Sequence, residues 1–144
     1  MQMSITTLDH PNAQAHYDDE HGIVYLTYSG LLTAEVSTAV YDWLNDLIAE
    51  VGIENMYGEV FDFRDVEEFM PDNLLEARRK SRGYNLRNNV KKLPVAMIVS
   101  NFYQEEILRG PMQNVEENKR KRIVRNLADA IAFLHEWHAE EDTP

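Results

Sequence analysis

The hydrophobic positions change period several times along the chain, and each change marks an element. Ala13–Tyr17 and Ile23–Tyr28 are short β-favouring runs separated by Asp18-Asp19-Glu20-His21-Gly22, which predicts a β-hairpin. From Thr33 the period lengthens: Val36, Ala39, Val40, Trp43, Leu44, Leu47, Ile48 and Val51 recur at steps of three and four. That spacing predicts a long amphipathic helix, with Thr33 at its N-cap, Glu35 in its first turn and Gly52 as its stop. Tyr57–Phe63 reads as a strand that gives way to a polar loop at Arg64-Asp65. Asp72, after Pro71, is placed to cap a second helix to about Arg87, with a thin apolar face (Leu74, Leu75, Ala77, Tyr84) and a basic polar face.

Leu93–Val99 is apolar without alternation, the pattern of a strand covered on both faces. Phe102–Leu108 predicts a further helix, broken near Gly110-Pro111 and resuming toward Asn118. Arg122–Val124 fits a short last strand. Asn126 with Asp129 makes a box-like start for a last helix buried through Leu127, Ala130, Ile131, Phe133, Leu134 and Trp137. The order β-β-α-β-α-β-α-β-α predicts a single α/β domain: a mixed five-stranded sheet, hairpin first and then βαβ crossovers, packed with about four helices. Residues 1–12 read as a loose N-terminal arm, 13–139 as the domain and 140–144 as a frayed acidic tail.

Composition narrows the chemistry. The 144 residues include no cysteine, which excludes disulfides, thiolate metal sites and a cysteine nucleophile, and which fits a reducing cytoplasm. No signal peptide is visible at the N-terminus, and the apolar runs are far shorter than the roughly 20 residues of a membrane span. The net charge of −11 is divided unevenly: residues 1–76 carry −15, with Arg64 as their one base, and residues 77–144 carry +4. Most of the bases fall in two runs, Arg78 to Lys92 and Lys119 to Arg125. Overall negative charge disfavours nucleic acid as a partner. The basic helix, with Arg78 and Arg82, is better matched to a protein surface, most economically the acidic half of a second subunit, which makes a homodimer the expected assembly.

Several residue sets invite a chemical reading. Asp62, Asp65, Glu67, Glu68 and Asp72 crowd one stretch after a strand, where α/β sheets place ligands, and carboxylates there can ligate a hard cation or act as a base. No motif spacing supports a metal or cofactor, and the bland alternative is a solvated acidic loop with Arg64 paired locally. His135 and His138 stand three apart, one residue short of the His-Glu-x-x-His spacing of zinc proteases. No phosphate loop, dinucleotide fingerprint or nucleophile elbow occurs.

Four segments in order resemble bacterial SpoIIAA-like proteins: Gly22–Gly30 followed by Leu32-Thr33, Val60–Asp65, Pro94–Val99 and Arg122–Leu134. The resemblance spans about residues 13–137. It implies mostly a fold, related to STAS domains and more distantly to the Sec14-type lipid-binding fold, in a family most of whose members have no assigned biochemical activity. In STAS anti-sigma antagonists a phosphorylated serine or threonine follows the third strand; here Asp62–Asn73 contains neither. The expectation is thus a non-enzymatic interaction domain without that phosphoacceptor, with Asp62, Arg64, Asp65, Asn101, Arg78 and Arg82 as candidate ligand- or partner-binding residues. Two alternatives remain: a carrier of a small amphiphile or lipid, suggested by the Sec14 kinship, and an enzyme using the loop carboxylates with Arg64 or Asn101.

Overall fold

The computed structural model describes residues 6–88, 90, 92–109 and 120–141. The strands are β1 (Thr7–His10), β2 (Ala13–Asp18), β3 (Ile23–Leu32), β4 (Gly58–Phe69), β5 (Val95–Ile98) and β6 (Lys121–Val124). The helices are α1 (Ala34–Val51), α2 (Pro71–Arg87), α3 (Phe102–Arg109) and a last one, α4 (Leu127–Glu141). The sheet runs β1-β2-β3-β4-β5-β6. Its first three strands pair antiparallel and its last four, from β3 on, pair parallel.

The expected α/β architecture is therefore present, with six strands rather than five. The extra strand, β1, lies inside the stretch expected as a loose arm. It pairs residue for residue with β2, Thr7 opposite His16 and His10 opposite Ala13. Residues 140 and 141, expected as part of a frayed tail, are helical, because α4 continues through Glu141. Met1–Ile5, Asn89, Lys91, the break at Gly110-Pro111 with its continuation toward Asn118, Lys119 and Asp142–Pro144 lie outside the described residues.

One face of the sheet carries the larger core. Val24 and Leu26 of β3, Phe61, Phe63, Val66 and Phe69 of β4, and Val95 and Met97 of β5 pack with Val36, Val40, Leu44 and Leu47 of α1 and Tyr84 of α2. On the opposite face α4 covers Ile23, Val60, Ala96 and Ile98 with Ala130, Phe133 and Leu134. β5 contributes alternate residues to both, which is why its sequence is apolar throughout. Leu44, Leu47 and Leu134 have no exposed surface; burial of each such side chain is worth roughly 1.5–3 kcal/mol.

Thr33 occupies the N-cap position of α1 but makes no side-chain cap hydrogen bond, whereas the stop of α1 and the start of α4 act as their residues suggest. Gly52, at φ 87°, closes α1 by donating its N–H to Ile48 O at 2.9 Å. Asn126 Oδ1 accepts the Asp129 N–H at 2.8 Å and its amide donates to Asp129 at 3.2 Å, the reciprocal start expected for α4. α2 begins differently. Met70 holds its N-cap position and Pro71 its first turn, so Asp72 lies inside the helix, where its charge favours the N-terminal dipole without capping it. At Gly58 a side chain would run into Leu134 at 2.7 Å, so glycine lets α4 close on the sheet.

Candidate functional site

Strands β3 to β6 point the same way, so their C-terminal ends share one edge. This is the edge at which open α/β sheets bind ligands. β4 dominates it. Its register partner β5 ends at Ile98 opposite Asp62, whereas β4 and β3 continue together to Phe69 and Leu32. Asp62, Asp65, Glu67 and Glu68 consequently lie on a strand, not in the loop that their polarity suggested. Phe63, Val66 and Phe69 turn into the core, and the charged residues between them take the solvent side. The pairing with β3 shifts between Thr27 and Ser29 and again between Gly30 and Leu31.

Of the expected set, the structure brings Asp62 and Arg64 together. Arg64 donates from Nε to Oδ1 at 3.0 Å and from Nη2 to Oδ2 at 2.7 Å, and its backbone N–H also reaches Oδ1 at 3.0 Å. This hydrogen-bonded pair raises the Arg64 pKa further above its ordinary range, with the charges of Asp62 and Asp65 adding to it. Asp65 is exposed beside them, opposite Ser29 of β3. Asn101 serves local structure: its Oδ1 accepts the Gln104 N–H at 2.9 Å and starts α3. Arg78 and Arg82 are exposed on α2, removed from the strand pair.

α3 fills the space that β5 leaves beside the β4 extension. Gln104, nearly fully buried, donates to Val66 O at 3.2 Å and accepts from the Ser100 N–H at 2.8 Å, fastening the helix to β4 and to the β5 turn. Glu105 accepts from Arg125, before α4, at 2.9 Å and also pairs with Arg109. The hydrogen bond from Arg125 and the two cationic charges hold its pKa below the usual carboxylate range.

The residues hardest to foresee are apolar. Among the described residues the exposed large hydrophobic side chains are Leu31, Leu75, Phe102, Tyr103 and Leu127. Leu31 is the penultimate residue of β3; Leu75 lies one turn into α2, after β4; Phe102 and Tyr103 open α3, after β5; Leu127 opens α4, after β6. All four parallel strands thus deliver exposed apolar surface to the same edge. The two aromatics are 67% and 61% exposed, so they are presented to solvent and are not the margin of a core. Periodicity could not mark them, because a first-turn residue fits a helical stripe whether or not anything covers it.

The histidines have other roles. His138 Nε2 lies 2.6 Å from the carbonyl oxygen of Tyr57, and the Tyr57 hydroxyl lies 2.6 Å from His135 Nδ1, so this pair is turned toward an aromatic ring that also stacks on His138. In the β2–β3 turn, Asp18, Glu20 and His21 approach one another, yet Asp18 is engaged there, accepting from the backbone N–H groups of Glu20 and His21 and facing the His21 ring at 2.8 Å.

The architecture matches a solved structure, an anti-sigma factor antagonist from Mycobacterium paratuberculosis, with a TM-score of 0.56 over 89% of this chain and 99% of that one, at 16% identity. The chain has the fold of an anti-sigma factor antagonist. No family model and no curated protein matches the sequence. The fold is the one that the resemblance to SpoIIAA-like proteins implied, and no described helix is long and apolar enough to cross a membrane.

Proposed function

We propose that this chain is a non-enzymatic interaction domain of the SpoIIAA-like kind, acting in the bacterial cytoplasm and binding a protein partner through the C-terminal edge of its parallel strands. The observation that carries this reading is the exposure of the two aromatics Phe102 and Tyr103 where α3 leaves that edge, beside the charged pair Glu105–Arg125. Aromatic anchors inside a polar rim are the usual composition of a protein interface. The solved neighbour, by its description, antagonises an anti-sigma factor and so works through a protein. With neither serine nor threonine in Asp62–Asn73, binding here is not switched by a phosphate on that segment. Asp62, one of the carboxylates an enzyme reading would use, is paired with Arg64, which favours a structural role for it.

A photo-crosslinking residue at position 103 tests the surface in the cell that makes the protein. One discrete protein adduct is expected at position 103 and none at Gln14, on the far strands. Equal labelling at both positions, or an amphiphile co-purifying with the protein in native mass spectrometry, would overturn the reading in favour of a non-specific surface or a carrier.

A further inference from the structure

α1 and α2 lie side by side on one face of the sheet, and their contacts fix how they are aligned. Asn73 Nδ2 donates to Thr33 O at 2.9 Å, Thr38 donates to Glu76 at 3.2 Å, Lys80 Nζ is 3.8 Å from Asp42, and Asn88 donates to Asn45 at 3.2 Å. Position numbers rise together in the two helices, so they run parallel, with Asp42 level with Lys80.

The outward stripes of the two helices carry opposite charge. On α1 the exposed positions include Glu35, Asp42, Asp46 and Glu50, at helical spacing. On α2 they include Leu75, Arg78, Arg79 and Arg82. Part of this charge is matched within the chain: Arg79 pairs with Glu76, Lys80 with Asp42, and Glu35 with His10. Arg78, Arg82, Asp46 and Glu50 have no ion pair among the described residues.

A surface with an acidic stripe beside a parallel basic stripe is complementary to itself under one operation. A two-fold axis lying between the stripes and parallel to the helices sets α1 of one copy against α2 of the other, in the same direction and at the same height. Asp42 and Asp46 of each copy then face Arg78 and Arg82 of its partner, and this happens twice. A two-fold axis across the helices would instead put acid on acid. We propose that this α1–α2 face is the interface of a homodimer, with a two-fold axis parallel to the helices and with the Asp42/Asp46 and Arg78/Arg82 pairs selecting the partner.

The area sets its strength. Two helices of about 17 residues at 1.5 Å rise and about 10 Å width present roughly 500 Å² per copy. The total, about 1,000 Å², sits at the lower limit for a specific interface. With exposed charges as its selective contacts, the dimer forms at micromolar concentrations and is sensitive to salt. Tyr103 lies on α3, outside this face, so the dimer and the partner surface stand or fall separately.

Sedimentation equilibrium on the full chain, from 5 to 200 μM (concentrations of the order at which an interface of this size associates), tests the proposal. The mass is expected to move from one to two copies in low salt, with at least a tenfold weaker association at about 0.5 M NaCl. The double variant Arg78→Glu, Arg82→Glu has two acidic stripes and should be monomeric. So should Asp42→Arg, Asp46→Arg, with two basic stripes. Mixed together, the two variants should form a heterodimer, because every contact is then again between opposite charges. A wild-type chain that stays monomeric to 200 μM, a dimer that survives both reversals, or variants that do not associate on mixing would overturn the proposal. The positions are exposed, and circular dichroism verifies the fold of each variant; should a reversal unfold the chain, the salt response of the wild type and of Arg78→Gln, Arg82→Gln decides in its place.

Discussion

Glu59 and Asp62 stand three residues apart on β4, and they experience opposite surroundings. Glu59 is 2% exposed, under α2, and accepts a hydrogen bond from the Tyr84 hydroxyl at 2.7 Å. Burial pushes its pKa up, against the opposing pull of that hydrogen bond and of Arg120 and Lys121. The same burial, with the Glu59 charge, drives the Tyr84 phenol far above its usual range. Asp62 sits on the other face of the strand, with Arg64 as a bidentate partner at the surface. One carboxylate is thus held by tertiary structure at a desolvation cost, whereas the other is held by its own sequence neighbour at little cost. An acidic residue on a strand has no fixed meaning until its side of the sheet is known.

The largest test of this contrast is removal of the buried member. Glu59→Ala deprives the Tyr84 hydroxyl of its acceptor and leaves buried Arg120 without the facing charge, so a loss of about 3 kcal/mol is expected in urea unfolding. A loss under 1 kcal/mol would mean that the site relaxes or hydrates.

The second test is the pH dependence. A carboxyl whose folded pKa is raised favours folding most below its unfolded value, and that advantage is lost as pH rises through the folded value. Wild type should therefore lose stability relative to Glu59→Gln between pH 4.5 and the raised pKa of Glu59. His21 also titrates upward, through its hydrogen bond to Asp18, and its contribution likewise fades as pH rises, but it is common to both proteins and cancels in the difference. Parallel stability curves for the two proteins would contradict the raised value. The smallest effect belongs to Asp62→Asn: for a surface ion pair the change should stay within about 0.5 kcal/mol, and a larger loss would place Asp62 among the structural residues.

Much of the fold was legible in the residues because the signals were local. The stripe of α1, its stop at Gly52, the Asn126–Asp129 start of α4 and the two-sided apolar run of β5 each depend on neighbours within a turn or a strand. The failures share a cause as well. β1 is four residues at a sheet edge with two of them exposed, so its alternation is too short to register. The C-terminal half of β4 reads as a loop because its register with β3 shifts there, spacing the core residues Phe63, Val66 and Phe69 by three instead of two. Of the candidate residues, Asp62 and Arg64 came together because a strand returns the second residue to the same side. Asn101 proved to be a helix start, and the exposed aromatics beside it carried no pattern.

What the sequence determined by itself, then, is the succession of elements, the absence of thiol chemistry and the division of charge between the two halves of the chain. Those follow from composition and short-range periodicity. Tertiary structure decided which side of each element faces water. It buried Glu59 and not Asp62, brought the first turns of α3 and α4 to one edge with Phe102, Tyr103 and Leu127 uncovered, and laid the acidic stripe of α1 beside the basic stripe of α2. The physical reason is that a side chain's chemistry depends on its solvent and its neighbours, and here those neighbours lie 25 residues or more away, as Tyr84 does from Glu59 and Glu76 from Thr38.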